Sequence, residues 1–80
     1  MDIGEAVKER ILELCRQRNI SVNKLSTLSG VTQSTVNNIV SGRNHSATIS
    51  TIKKLCDGLD ISIQEFFNSS LFCNVEQELK

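Results

Sequence analysis

The chain has no proline, no tryptophan and no tyrosine, and its 80 residues include only three phenylalanines and one histidine. Without proline, no helix has to break or kink for want of a backbone N–H. No apolar run approaches the roughly 18 residues that a membrane span needs, so no membrane partner is expected. The cysteines are three, Cys15, Cys56 and Cys73. They are odd in number and widely spaced, with no CxxC pair, which argues against a disulfide framework or a zinc site. Cys15 and Cys56 read as small buried hydrophobes, and Cys73 as an exposed tail residue. One histidine, no nucleophile paired with a base, no glycine-rich phosphate loop and no metal-ligand spacing leave no basis for an enzyme. No catalytic residue, cofactor, metal or small-molecule ligand is expected. The N-terminal stretch MDIGEAVKER is acidic and amphipathic and lacks the basic start and apolar middle of a secretion signal. The expected location is cytoplasmic.

A deficit of one charge is local. The net charge is zero, but residues 14–56 contain no aspartate or glutamate. That stretch holds Arg16, Arg18, Lys24, Arg43, Lys53 and Lys54, while the flanks hold all nine acids. Affinity for a polyanion follows the cationic surface near its phosphates rather than the sum over the chain.

The apolar residues recur at intervals of three and four, which predicts an all-α fold of one domain. The first helix spans 3–18, capped by Asp2 with Glu5 three residues on, striped by Val7, Ile11, Leu14 and Cys15, and ended by Asn19 in a left-handed conformation. The second spans 22–29, with Ser21 as cap, Leu25 and Leu28 inward, Ser26 small enough for close approach of a neighbour, and Gly30 as stop. The third follows Thr32 and ends near Ser41 and Gly42. The fourth spans 49–58, capped by Thr48, with Ile49, Ile52, Leu55, Cys56 and Leu59 inward. A short fifth helix has Ser62 and Glu65 as its capping box, with Ile61, Phe66 and Phe67 entering the core. The five helices make a domain over 1–68. The tail, 69–80, carries Leu71, Phe72, Val75 and Leu79 at helical spacing. It is expected to be a short helical segment that either serves as a dimerisation surface or folds back on its own domain.

The third helix has an unusual exterior. At about 100° per residue, Val36, Ile39 and Val40 fall on one side, and Gln33, Ser34, Asn37, Asn38 and Ser41 on the other. None of these outer residues is charged. Asparagine and serine are mediocre helix formers, poor choices for a merely solvated face. Carboxamides offer a donor and an acceptor together, the pairing that reads adenine at N6 and N7 in the major groove. The second helix, the short turn at Gly30 and the third helix have the layout of a helix-turn-helix, whose second member enters that groove.

The stretch ISVNKLSTLSGVTQSTVNNIVSGR resembles the helix-turn-helix of phage-repressor and Cro-type proteins, the Xre family. Leu25, Ser26, Gly30, Val31, Val36, Ile39 and Gly42 stand at that family's Leu, Ala, Gly, Val, Ile, Ile and Gly positions. TIKKLCDGLDISIQEFF resembles its fourth and fifth helices. The resemblance implies a five-helix, lambda-repressor-like domain that binds double-stranded DNA, usually as a homodimer, to regulate transcription. It implies base contacts from Thr32, Gln33, Ser34, Asn37 and Asn38. It implies phosphate contacts from Ser21, Asn23, Thr35, Arg43 and Asn44, with His45 in the same loop either a further contact or plainly exposed.

Two departures carry expectations. Many family members have glutamine where this chain has Val22, so one polar contact is missing. Many pair an arginine late in the first helix with a glutamate before the glycine that ends the third. Cys15 and Val40 stand there instead, and both partners being apolar predicts that they meet in the core. The rival reading is a protein-binding module, such as an antitoxin, with DNA binding secondary.

Overall fold

The structure, a computed structural model, describes residues 1–43 and 46–77. Its elements are α1 (Ile3–Arg18), α2 (Val22–Ser29), α3 (Gln33–Val40), α4 (Ile49–Leu59) and α5 (Ile63–Phe67), then a 3-10 turn at Ser70–Phe72. No strand occurs among the described residues, and none of the helices there is long and apolar enough to cross a membrane.

Each helix starts on a side chain that replaces a missing backbone partner. Asp2, Ser21, Thr32, Thr48 and Ser62 accept from the backbone N–H of Glu5, Lys24, Thr35, Thr51 and Glu65. Such a cap contributes about 1 kcal/mol, enough to set where short helices begin. At α5 the box is reciprocal, with the Glu65 carboxylate accepting from the Ser62 N–H at 3.1 Å. Asn19 ends α1 in the left-handed region at φ 57°, as its short polar side chain allows.

Helix α4 does not stop at Gly58. It runs on through Leu59, and Asp60 takes the left-handed position at φ 57°. Gly58 serves packing instead. A Cβ there would lie 2.8 Å from the Cα of Ser29, so α2 and α4 meet almost backbone to backbone. Ser29 is the α2 residue at this close approach, and Ser26 beside it is buried as well. This contact turns the buried side of α2 toward Val22, Leu25, Ser26 and Ser29, and leaves Leu28, expected inward, 47% exposed. Ile49, expected in the stripe of α4, is likewise 66% exposed at the first residue of that helix.

The core gathers Ile11, Leu25, Val36, Ile39, Leu55, Cys56, Leu59 and Phe66. Beneath it lies a charged tie absent from the sequence reading. Arg10 is buried on α1 and reaches the end of α5. Its Nε donates to the Phe66 carbonyl at 2.7 Å and its Nη2 to the Glu65 carbonyl at 2.8 Å. Its Nη1 meets Glu13 Oε1 at 2.6 Å. The guanidinium thereby satisfies the Phe66 carbonyl, which the five-residue helix leaves open at its C-terminus, and gives a second donor to the Glu65 carbonyl, which also accepts from the Asn68 N–H at 3.2 Å.

The tail folds back. The Phe72 ring stands 4.9 Å from Phe67 and 6.3 Å from Phe66, centroid to centroid. The Glu76 N–H donates to the Met1 carbonyl at 3.1 Å. Leu71, Phe72 and Val75 are half-buried. The helical spacing read from the tail yields only the one 3-10 turn, and residues 75–77 are not helical. Leu79 lies outside the described residues.

Cys15 and Cys56 are buried and Cys73 is exposed, all three as free thiols. Burial pushes the Cys15 and Cys56 thiols above their ordinary pKa, with the Asp57 carboxylate adding to the rise at Cys56. Only the thiolate reacts with a disulfide reagent. At pH 8, Cys73 is therefore expected to be labelled at once, and the other two only as the domain opens. Three thiols reacting at one rate would contradict this packing.

Candidate nucleic-acid interface

The turn between α2 and α3 is tied to the side chains of α2. Gly30 adopts φ 72°, a left-handed conformation that favours glycine. The Ser26 hydroxyl, buried, donates to the Val31 carbonyl. The Ser29 hydroxyl donates to the Leu25 carbonyl at 2.8 Å and accepts from the Val31 N–H at 3.4 Å. Val31 is buried in the core, so the turn is anchored from both sides. These contacts fix the angle at which α3 leaves α2.

Helix α3 divides as its spacing requires. Val36 and Ile39 are buried and Val40 is half-buried against the same core. Thr32, Gln33, Ser34, Asn37, Asn38 and Ser41 are exposed, and Thr35 is half-buried. The polar groups on this surface fall into two kinds. The hydroxyls are already engaged. Thr32 Oγ1 lies 2.8 Å from Thr35 Oγ1 and 3.4 Å from Ser34 Oγ. The Ser41 hydroxyl donates to the Asn38 carbonyl at 3.3 Å. The amide side chains of Gln33, Asn37 and Asn38 make no hydrogen bond with the described residues. Donors and acceptors that point outward unpaired are the raw material of base readout.

The residues expected at phosphate are placed as follows. Ser21, Asn23 and Arg43 are exposed. Ser21 caps α2 through the Lys24 N–H at 3.0 Å, and Thr35 shares its hydroxyl with Thr32. Asn44 and His45 lie outside the described residues. Val22 is half-buried against the core, so its side chain serves packing where a polar contact is common in the resembling family. Cys15 is buried in the core cluster, and Val40 is half-buried against that cluster.

The cations of the acid-free stretch are all exposed. Arg16, Arg18, Lys24, Arg43 and Lys54 have no carboxylate partner among the described residues. Lys53 differs: it is paired with Asp57 one turn on, and the hydrogen bond it donates to that carboxylate raises its pKa. The acid-free stretch that contains α3 thus carries five positive side chains with no carboxylate partner among the described residues, in a molecule of zero net charge.

The family described as the Cro/C1-type HTH DNA-binding domain matches residues 10–69. A crystal structure of prophage Lp1 protein 11 is similar at 44% sequence identity and a TM-score of 0.77, over 86% of this chain and 92% of that one. Comparison with curated proteins gave no significant match.

Proposed function

This chain belongs to the family of Cro/C1-type helix-turn-helix DNA-binding domains, and from that membership we propose that it is a sequence-specific transcriptional regulator that reads duplex DNA with α3. The observation that carries the proposal is the outer face of α3: three carboxamides without a hydrogen bond among the described residues, no charge, and a turn tied to the side chains of α2. Gln33, Asn37 and Asn38, with Thr32 and Ser34, contact bases. Ser21, Asn23, Thr35, Arg43 and Asn44 contact phosphates, aided by the partial positive charge at the start of α2.

One domain of this size makes few contacts, so the proposed active form is a homodimer on a palindromic site. The molecule measures 38 × 23 × 20 Å. Two copies side by side can therefore place their reading helices about 34 Å apart, one turn of the duplex. The tail is the proposed pairing segment. Its apolar residues are half-buried on their own domain, so only the surface they leave open is offered to a second copy.

The test is affinity for duplex DNA as a function of salt. Neutralising several phosphates gives an affinity that falls steeply and linearly in a plot of log K against log salt, by about 0.9 per phosphate neutralised. The five uncompensated cations lead us to expect such a slope. Binding that is absent or flat with salt would instead favour a module that holds a protein partner.

A further inference from the structure

We propose that Ser26 is a positioning residue for sequence discrimination: its buried hydroxyl sets how the start of α3 meets the groove, without touching DNA. The proposal rests on α3 being the reader, and it names a residue outside the contacting surface on which that reading depends.

Val31 lies in the turn, two residues before α3. Its carbonyl accepts from the Ser26 hydroxyl and from no backbone N–H among the described residues. Ser26 is 6% exposed and Val31 8%. Without the hydroxyl, that carbonyl finds a donor only by turning its peptide toward water. The Val31 carbonyl and the Thr32 N–H belong to one planar peptide, so such a turn carries Thr32 with it. Thr32 is the cap of α3 and accepts from the Thr35 N–H at 3.3 Å. The residues of α3 that are buried, Val36 and Ile39, lie beyond its first turn. Gln33 and Ser34 are exposed and Thr35 is half-buried. The first turn of α3 is therefore placed by the peptide that Ser26 holds rather than by burial of its own side chains. Ser29 adds less, because its oxygen stands 3.4 Å from the Val31 N–H and its hydroxyl is given to the Leu25 carbonyl. The alanine of the resembling family has no hydroxyl to give at position 26, so this tie is a feature of the present chain.

A small rotation at the start of α3 affects the two kinds of DNA contact unequally. Hydrogen bonds to base edges weaken steeply with angle, and a site of this kind must be held within about 0.5 Å and 10–20°. Arginine and lysine reach phosphates on long, flexible stems that follow such a shift. Loss of the hydroxyl should thus lower discrimination between sequences and leave the general grip on DNA intact.

The experiment begins with a duplex selected from a random pool by the full chain. Affinity for it and for a random-sequence duplex is measured at one salt concentration, for the full chain and for its Ser26→Ala and Thr27→Ala variants. Thr27 serves as the control, being exposed and donating to the Asn23 carbonyl of its own helix at 3.2 Å. Residual dipolar couplings of the backbone amides report the angle between α2 and α3. Alanine is smaller than serine and favours helix, so Ser26→Ala is expected to fold. It should lose roughly tenfold in the ratio of selected to random affinity, comparable to one mismatched base pair. Its affinity for the random duplex should stay the same, and the couplings of α3 should change relative to those of α2. Thr27→Ala should alter neither. An unchanged ratio or unchanged couplings in Ser26→Ala would overturn the inference. So would an equal fall on both duplexes, or a variant that does not fold, since the hydroxyl would then hold the domain together rather than set an angle. If the full chain itself prefers no duplex, the proposed function and this inference fall together; a preferred duplex that Ser26→Ala still distinguishes removes the inference alone.

Discussion

Arg10→Met is expected to destabilise the protein by about 2–4 kcal/mol, because it leaves the buried Phe66 carbonyl without a donor and the Glu65 carbonyl with the Asn68 N–H alone. Methionine fills a similar volume but donates nothing. The Phe66 carbonyl, at 2.7 Å from Nε, and the Glu65 carbonyl, at 2.8 Å from Nη2, both lose their charged partner. Helix α5 has only five residues and cannot hold itself together in isolation. Its attachment is the capping box at one end, Phe66 in the core, and this arginine at the other. For a domain of this size the change amounts to a fall in melting temperature of roughly 10–25 °C. Thermal unfolding followed by circular dichroism measures it. The companion change Glu13→Gln should cost less than about 1 kcal/mol, since the Glu13 side chain is partly exposed and the pair is screened. Equal losses from both would mean that the ion pair, not the carbonyls, is what matters.

Gly58→Val is expected to cost about 3 kcal/mol or more. Added volume in a filled contact destabilises by roughly 1–3 kcal/mol even when neighbours can adjust, and here they cannot. The Cβ alone would stand 2.8 Å from the Cα and 2.9 Å from the backbone nitrogen of Ser29. The helical preference of any residue over glycine, up to about 1 kcal/mol for alanine, works in the opposite direction and is too small to reverse the sign. Two of the three atoms met are main chain, which makes rescue diagnostic. Ser29→Gly removes the Cβ of Ser29 and leaves those two atoms in place, so the double variant should recover little. Full recovery would show that the helices are held apart by side chains. Because α2 carries the turn that sets α3, the variant should also lose duplex affinity under conditions where it remains folded.

Much of this fold is legible in the sequence because caps and stops are local. Asp2, Ser21, Thr32, Thr48 and Ser62 bond to residues three places away, and the outward Ser34, Asn37, Asn38 and Ser41 of α3 follow from periodicity, whereas Gln33 is exposed although the same period sets it beside Val40. What stayed hidden depends on where a neighbour sits. Leucine at position 28 looks inward on composition, yet the side of α2 that is buried is decided by Gly58 approaching Ser29. Ile49 fits the period of α4, but a period does not say whether another element covers the first turn. Gly58 looks like a stop and is a contact; Asp60 looks like a surface residue and is the stop. Arg10 carried no signal, since an arginine on an amphipathic helix usually lies at the surface. The tail has helical spacing, but Phe72 is drawn onto Phe66 and Phe67 instead, and the chain makes a single 3-10 turn. At the interface itself, the sequence shows which residues face outward, and the structure adds that the Thr32, Ser34 and Thr35 hydroxyls contact one another while the amides have no hydrogen bond among the described residues.

The most direct measurement is a titration of isotope-labelled protein with its selected duplex, following the side-chain amide resonances of Gln33, Asn37 and Asn38. Those three resonances, and the backbone of α3, are expected to shift and to change in proton exchange as the amides exchange water for base edges. Unchanged resonances at all three, with the perturbation confined to α5 and the tail, would contradict the reading of DNA by α3.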